Sequence, residues 1–295
     1  MTKPEPCPVF RFAPSPNGRL HLGHAYSALF TADAAAKAGG RFLLRLEDID
    51  LPRCRAEFID GILEDLDWLG LNWEEPVRKQ SAHFDAYKRA LGVLEDMGVL
   101  YPCYATRSEI RQAIEAKPGH PRDPDGSPLY PGLWRDEGPD PDEDRPFALR
   151  INHALAIRLA CEKLGKRPTF EETGTGPQGQ TGTLAVTPEI WGDVVLGRKD
   201  IGTSYHMAVV VDDALQGVTH VTRGQDLFAA THIHRVLQIL LDLPEPIYRH
   251  HPLINDDAGR KLSKSAGDES LQALREAGIS AARIREELGF SDFAA

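Results

Sequence analysis

Residues 11–24 read RFAPSPNGRLHLGH, and how this stretch is read decides the fold. Just before and into it, Val9-Phe10-Arg11-Phe12-Ala13 is short, mostly apolar and stopped by Pro14, as a strand would be. After it, residues 23–37 carry Ala25, Ala28, Leu29 and Ala32 at helical spacing, and Gly39-Gly40 closes them. Then Arg41–Leu46 (RFLLRL) forms a second strand that runs into Glu47-Asp48. Two strands joined by one helix predict a right-handed parallel crossover, the opening unit of a nucleotide-binding α/β sheet.

His21 and His24 fall where the loop becomes the helix. Unpaired backbone N–H groups and the positive end of the helix dipole favour an anion there. A spacing of three puts both imidazoles on one face of the first turn. They read equally as a polar cap facing solvent or as two donors that grip a phosphate and stabilise charge developing on it.

Amphipathic helices are expected over 56–69 and 82–97. From about residue 101 the character changes, and 117–146 is crowded with Pro, Gly and Asp, which is loop chemistry. A Thr/Gly-rich stretch follows at 169–183. Strand-like runs return at 193–196 and at 207–211 (MAVVV), the latter ending in Asp212-Asp213, and a helix is expected over 231–243. The pattern predicts an α/β protein with a doubly wound parallel sheet of the Rossmann type, an inserted smaller α/β subdomain and a short helical C-terminal extension. The expected boundaries are 1–100 and 191–250 for the two halves of the sheet domain, 101–190 for the insertion and 251–295 for the tail.

Bulk properties set limits. Hydrophobic residues at 41% and charged residues at 26% are ordinary for a globular chain. No apolar run approaches a membrane span, and MTKPEPCPVF lacks the apolar centre of a signal peptide, so a cytoplasmic location and no membrane partner are expected. Cys7, Cys54, Cys103 and Cys161 have no paired spacing, which argues against a disulfide framework or a four-cysteine zinc site. A net charge of −10 excludes a surface that attracts nucleic acid everywhere, so an RNA role needs particular residues, with Arg107 and Arg111 as candidates. His232, His234, His250 and His251 invite a metal reading, but the first pair points to different helix faces and no zinc-like spacing completes a site. Asp212 and Asp213 are expected to cap a strand or orient a neighbour rather than bind magnesium.

Late in the chain stands GRKLSKS, residues 259–265. Lysines and hydroxyls in a loop suit a polyphosphate. Together with HLGH after the first strand, this pair resembles the two signatures of class I aminoacyl-tRNA synthetases. RLEDID and YHMAVVVDDALQGVTHVTRGQDL narrow the resemblance to the glutamate-specific branch, over most of residues 8–270. The resemblance implies that His21, Gly23, His24, Lys261, Ser263 and Lys264 bind ATP, with His21, His24 and Lys264 stabilising the reacting phosphate. It also implies that Arg11, Phe12, Ala13, Pro14, Ser15, Glu47, Tyr205 and Arg223 bind L-glutamate. The residue chemistry agrees: two arginines suit two carboxylates, Glu47 suits an ammonium, and Tyr205 offers a hydroxyl and a wall.

Three features set the chain apart from ordinary glutamyl-tRNA synthetases. Only residues 266–295 follow KLSKS, too few for a unit that reads an anticodon. This shape resembles the glutamyl-queuosine tRNA(Asp) synthetase family, which implies tRNA-independent activation of glutamate by ATP and Mg²⁺ and transfer to queuosine in the anticodon of tRNA(Asp). The alternatives are a minimal synthetase charging a tRNA 3′ end, and a non-catalytic paralogue that binds tRNA or nucleotide. Second, the family's zinc ligands are incomplete. Cys103 and Tyr130 remain, but Ala105 and Trp134 stand where cysteines are expected, so no zinc is expected. Third, the motif is a full HLGH, where many relatives carry Gly in place of His24. A monomer is expected.

Overall fold

The computed structural model describes residues 7–137, 145–254 and 269–293. The chain opens with strand β1 (Val9–Phe12), helix α1 (Leu22–Lys37), β2 (Arg41–Leu46), α2 (Ala56–Trp68), β3 (Glu74–Lys79) and α3 (Phe84–Asp96). Next come β4 (Leu100–Cys103), α4 (Arg107–Glu115), β5 (Ala148–Ile151), α5 (His153–Leu164), β6 (Thr169–Glu172), β7 (Gly182–Ala185) and β8 (Val195–Gly197). The last part is α6 (Tyr205–Leu215), β9 (His220–Gly224), α7 (Ala230–Leu240), β10 (Ile247–His251), α8 (Leu271–Glu276) and α9 (Ala281–Glu287).

Seven strands form one sheet in the order β3-β2-β1-β9-β10-β6-β7, parallel except for β7 at the edge. From β1 the first half winds outward through β2 to β3, and the second half winds the other way through β9 and β10. The strand order therefore reverses between β1 and β9, where doubly wound sheets bind ligands beyond the carboxyl ends of their strands.

Period-two alternation divides the sheet between two cores. Phe10, Phe12, Phe42 and Leu44 face α1, α2 and the short C-terminal helices, through Leu20, Leu29, Leu66, Leu271 and Ile284. Val9, Leu43, Phe170, Val221 and Tyr248 face the layer of α3, α5, α6 and α7. The α8–α9 extension is fixed to the first face by Arg285, which donates to Leu69 O at 2.9 Å, and by Arg275 beside Asp65 at 3.3 Å.

Three expectations need correction. Residues 207–211 are not a strand: MAVVV lies inside α6. That helix is buried from Met207 to Asp213, and a helix covered on all sides reads as an unbroken apolar run, indistinguishable by periodicity from a buried strand. The 193–196 run becomes β8 in a separate antiparallel sheet, β4-β5-β8, rather than part of the large sheet. Sheet membership also does not follow the boundaries at 101 and 190. β6 and β7 lie within 101–190 yet extend the large sheet, where Glu172 pairs in parallel register with Tyr248 of β10.

Candidate active site

A cleft of about 580 Å³ opens at the strand-order reversal. Its walls include Arg11, Phe12, Ala13, Pro14 and Ser15 from the end of β1, His21, Gly23 and His24 from the start of α1, and Glu47 after β2. Tyr205 of α6 and Arg223 of β9 close the opposite side. All the expected site residues that the structure describes thus meet in one cavity. Lys261, Ser263 and Lys264 lie outside the described residues. On either side of them, Ile254 lines the cleft, and Ser270 bridges to His21 while Leu271 N donates to Leu20 O at 2.8 Å.

The imidazoles are both cap and cleft lining. His21 is the residue that caps α1, and its Nδ1 accepts from Gly23 N at 3.1 Å. His24 Nδ1 accepts in turn from His21 N at 3.3 Å, so two histidines make the reciprocal box usually built from a hydroxyl and a carboxylate. Because each Nδ1 accepts, each neutral ring carries its proton on Nε2. The rings sit 3.9 Å apart between centroids.

Arg11 is held by a carboxylate. Its Nε donates to Asp213 Oδ1 at 2.9 Å, Nη2 to Oδ2 at 3.3 Å and Nη1 to Thr222 O at 3.2 Å. A guanidinium has five N–H donors, so part of the fork still points onward. Asp213 also accepts from Arg45 Nη1 at 2.7 Å, and Arg45 Nη2 reaches Glu47 at 3.2 Å. Burial alone would raise the Asp213 carboxyl, but the two guanidiniums outweigh it and keep it below the usual range. For Glu47 burial prevails over Arg45 and Arg11, and its carboxyl is raised. The neighbouring Asp212 faces away and ties elements together, accepting from Arg78, Gln80 and Tyr87 at 2.8, 3.0 and 2.7 Å.

Arg223 is held by neutral groups. Its Nε donates to His250 Nε2 at 3.0 Å and its Nη2 to Thr231 Oγ1 at 2.6 Å. Nη1 lies 3.2 Å from His234 Nδ1 and 3.5 Å from Tyr205 Oη. At Gly224, the next residue, a Cβ would meet the Asp226 carboxylate and come within 2.9 Å of Leu253, so any larger residue makes those two side chains shift.

Among the described residues, the corner where the resemblance implies zinc ligands does not fit a metal. Cys103 Sγ and Tyr130 Oη lie 2.9 Å apart, and Tyr130 Oη donates to Leu133 O at 2.6 Å. Burial, then the contact with Cys103, raises the phenol so that it stays protonated. Ala105 packs beside them, and Trp134 meets the Tyr104 ring at 5.0 Å. One thiol and one phenol bonded to each other leave a tetrahedral site two ligands short. Among the described residues, no group of three or more His, Cys, Asp or Glu is placed to hold a metal.

Arg45 and Thr222 were not anticipated as parts of the site, and His234, His250 and His251 were weighed only as metal ligands. Thr222 Oγ1 meets Thr31 Oγ1 at 2.6 Å, and His251 Nε2 meets Ser27 Oγ at 3.1 Å, joining β9 and β10 to α1 beneath the cleft. A signal was present. Five parallel strands share an apolar residue followed two places on by a polar one: Val9/Arg11, Leu43/Arg45, Phe170/Glu172, Val221/Arg223 and Tyr248/His250. All five polar side chains are buried. Alternation places them on the core side facing α6 and α7, at the ligand-binding edge.

The family described as tRNA synthetases class I (E and Q), catalytic domain, matches residues 9–288. The chain is 47% identical over 286 residues to the Glutamyl-Q tRNA(Asp) synthetase of Rhodobacter capsulatus, covering 95% of this chain and 99% of that protein. It is 39% identical to the protein of that name from Nitratidesulfovibrio vulgaris, covering 93% of this chain and 83% of the other. Among solved structures, it resembles a glutamate tRNA ligase from Elizabethkingia meningosepticum in complex with its amino acid. The TM-score is 0.68 at 26% identity, over 88% of this chain and 52% of the ligase, so the chain spans about half of that protein. Methionyl-tRNA synthetase of Mycobacterium tuberculosis shares the fold at a TM-score of 0.56.

Proposed function

The chain belongs to the class I (E and Q) tRNA synthetase family, grouping there with the glutamyl-Q tRNA(Asp) synthetases, and on that premise we propose that it activates L-glutamate with ATP, without tRNA, and transfers it to queuosine in the anticodon of tRNA(Asp). The observation that carries the first step is the composition of a single cleft: an imidazole-capped helix start, two guanidiniums and Glu47 line the same cavity. Arg223, with the free edge of Arg11, receives the carboxylates of glutamate, Glu47 its ammonium, and Tyr205 walls the pocket. Phe12 to Ser15 pass along its floor.

The α-carboxylate of glutamate attacks the α-phosphorus of ATP, forming glutamyl-adenylate and releasing pyrophosphate. His21 and His24, protonated at Nε2, donate to the developing charge, and Gly23 lets the backbone approach the nucleotide. Lys264, with Lys261 and Ser263, neutralises the departing polyphosphate. Mg²⁺ arrives with ATP and is held by its phosphates and water. In the second step a hydroxyl of queuosine attacks the activated carbonyl, the bond from that carbon to the phosphate oxygen breaks, and AMP leaves, the hydroxyl proton passing to the AMP phosphate or to water. Orientation and preorganised donors supply the acceleration, with no covalent enzyme intermediate.

Support for queuosine as acceptor is the likeness to the Rhodobacter protein over almost its whole length. We further propose that the protein acts as a cytoplasmic monomer without zinc. No helix among the described residues is long and apolar enough to cross a membrane. The deciding experiment offers labelled glutamate, ATP and Mg²⁺ with queuosine-containing tRNA(Asp), queuosine-free tRNA(Asp) and the isolated queuosine-containing anticodon stem-loop. Label is expected on the first and third. Label on the queuosine-free tRNA would instead identify an enzyme that charges the 3′ end, a reading that the likeness to the Elizabethkingia ligase keeps in view.

A further inference from the structure

We propose that Glu172, His250 and His234 are positioning residues for Arg223, fixing its guanidinium for the substrate carboxylate through hydrogen bonds whose direction is set from β6, two strands away on the same face of the sheet. The inference rests on the assignment of Arg223 to glutamate made above.

The starting point is that arginine can only donate and an ionised carboxylate can only accept. Glu172 Oε1 receives Gly174 N at 2.8 Å and His250 N at 2.9 Å, while Oε2 faces His250 Nδ1. The ring proton must therefore sit on Nδ1. That leaves the Nε2 lone pair of His250 turned toward Arg223 Nε, 3.0 Å away. On the other side His234 Nδ1 faces Arg223 Nη1, so it accepts and its own proton sits on Nε2, aimed at His206 Nδ1 at 3.1 Å. The two histidines flanking Arg223 thus hold opposite tautomers. Burial pushes His250 down to about 4 and His234 well below its ordinary value, so both remain neutral acceptors near pH 7.

None of Glu172, His250 or His234 lines the cleft; each acts through Arg223. The backbone is shaped for this contact: a Cβ on Gly174 would run into the His250 backbone, so glycine allows the chain after β6 to close over β10. The arrangement has two consequences. A long side chain has many rotamers, and locking it beforehand removes the cost of ordering it from substrate binding. Neutral acceptors also leave the positive charge of Arg223 directed at the cleft, whereas a carboxylate in direct contact would neutralise it.

The test separates positioning from simple structural support. An asparagine amide reaches roughly the place of Nδ1, and a glutamine amide roughly that of Nε2. His250→Gln therefore keeps an acceptor for Arg223, while His250→Asn keeps only the link to Glu172. In glutamate-dependent ATP–pyrophosphate exchange, His250→Asn should raise the KM for glutamate about tenfold and His250→Gln no more than about threefold, with the KM for ATP nearly unchanged in both. Glu172→Gln should match the asparagine variant. Two backbone amides would hold its oxygen in place, leaving NH₂ against His250 Nδ1, reversing the tautomer and setting an N–H against Arg223 Nε. Independently, ¹⁵N spectra of the unaltered protein should show His250 protonated at Nδ1 and His234 at Nε2. The opposite order of the two His250 variants, or the same tautomer at both histidines, overturns the proposal. Wild-type protein without glutamate-dependent exchange would instead remove the function proposed above, and the spectra would still decide the direction of the chain.

Discussion

Arg11 and Arg223 stand on neighbouring parallel strands and face one cleft, yet the protein holds them in opposite ways. Arg11 lies against the carboxylate of Asp213, which it shares with Arg45. Arg223 touches two imidazoles and two hydroxyls, and Glu172 reaches it only through His250. The first arrangement fixes a side chain by compensating its charge. The second fixes it by geometry and leaves the charge for a ligand. A buried cation held by neutral acceptors is a poor device for stability, because desolvation is left uncompensated until an anion arrives. It is a good device for binding one. The difference predicts that perturbing the first half of the cleft damages mainly the fold, and perturbing the second half mainly the chemistry.

Asp213→Asn tests the first half and should have the largest effect. It leaves two buried guanidiniums without their shared partner, and unpairing a buried charge costs about 3–5 kcal/mol. Urea unfolding should show that loss in full. A change below about 1 kcal/mol would mean that Asp213 is not what holds Arg11 and Arg45. Arg223→Lys tests the second half. Lysine keeps the charge but cannot reach His250, His234, Thr231 and a substrate carboxylate together. The expected result is about a hundredfold fall in kcat/KM for glutamate in pyrophosphate exchange, about 2.7 kcal/mol, with the unfolding midpoint little altered. If the two variants exchanged these outcomes, the contrast between the halves would be wrong.

Acidification should expose the imidazoles more gently. Burial lowers His206, His232 and His250 to about 4, and lowers His220, His234 and His251 as well. Each binds a proton more readily when the chain is unfolded, so its contribution is complete above pH 6.5 and is lost as pH falls toward 4. Asp65, raised by burial to about 6, opposes this, as do Glu47 and Glu245, also raised by burial. The imidazoles outnumber these carboxyls, so stability should fall by on the order of 1 kcal/mol between pH 6.5 and 5.5, measurable as a lower melting temperature. A melting temperature that rose over that interval would show that the carboxyls dominate.

The same contrast explains what was legible in the sequence. Arg11, His21, His24, Glu47, Tyr205 and Arg223 stand in words with strong local character: a proline-stopped strand, a helix start, a strand running into acids. The fold followed from them, because a strand–helix–strand opening admits few topologies. MAVVV was misread because burial on every side erases periodicity. Glu172 went unread, and His250 was read only as a possible metal ligand, for another reason. Their roles depend on β6 lying beside β10, a pairing between residues far apart in the chain, and the Thr/Gly-rich stretch around β6 looked like part of an insertion. The apolar-x-polar ending shared by five strands was visible, but its meaning requires the strand order.

The insertion extends the comparison and should respond least. Its polar centre is of the Arg11 kind: Asp193, fully buried, accepts from Arg135 Nε at 2.6 Å and Tyr101 Oη at 2.8 Å and contacts His153 Nδ1 at 2.6 Å. Arg135 directly follows Trp134, so this ion pair anchors the loop where the resemblance led a metal ligand to be expected. Around it, Arg150 stacks 3.5 Å from the Tyr130 ring centre, and Cys103 meets the Tyr130 hydroxyl. Carboxylate, guanidinium and rings together supply the cross-links of a structural metal. On the proposal that this corner holds no zinc, prolonged treatment with a strong chelator should move the melting temperature by less than about 1 °C. One equivalent of tightly held zinc per chain, or a large drop in melting temperature on chelation, would show that the Cys103–Tyr130 corner recruits ligands from elsewhere.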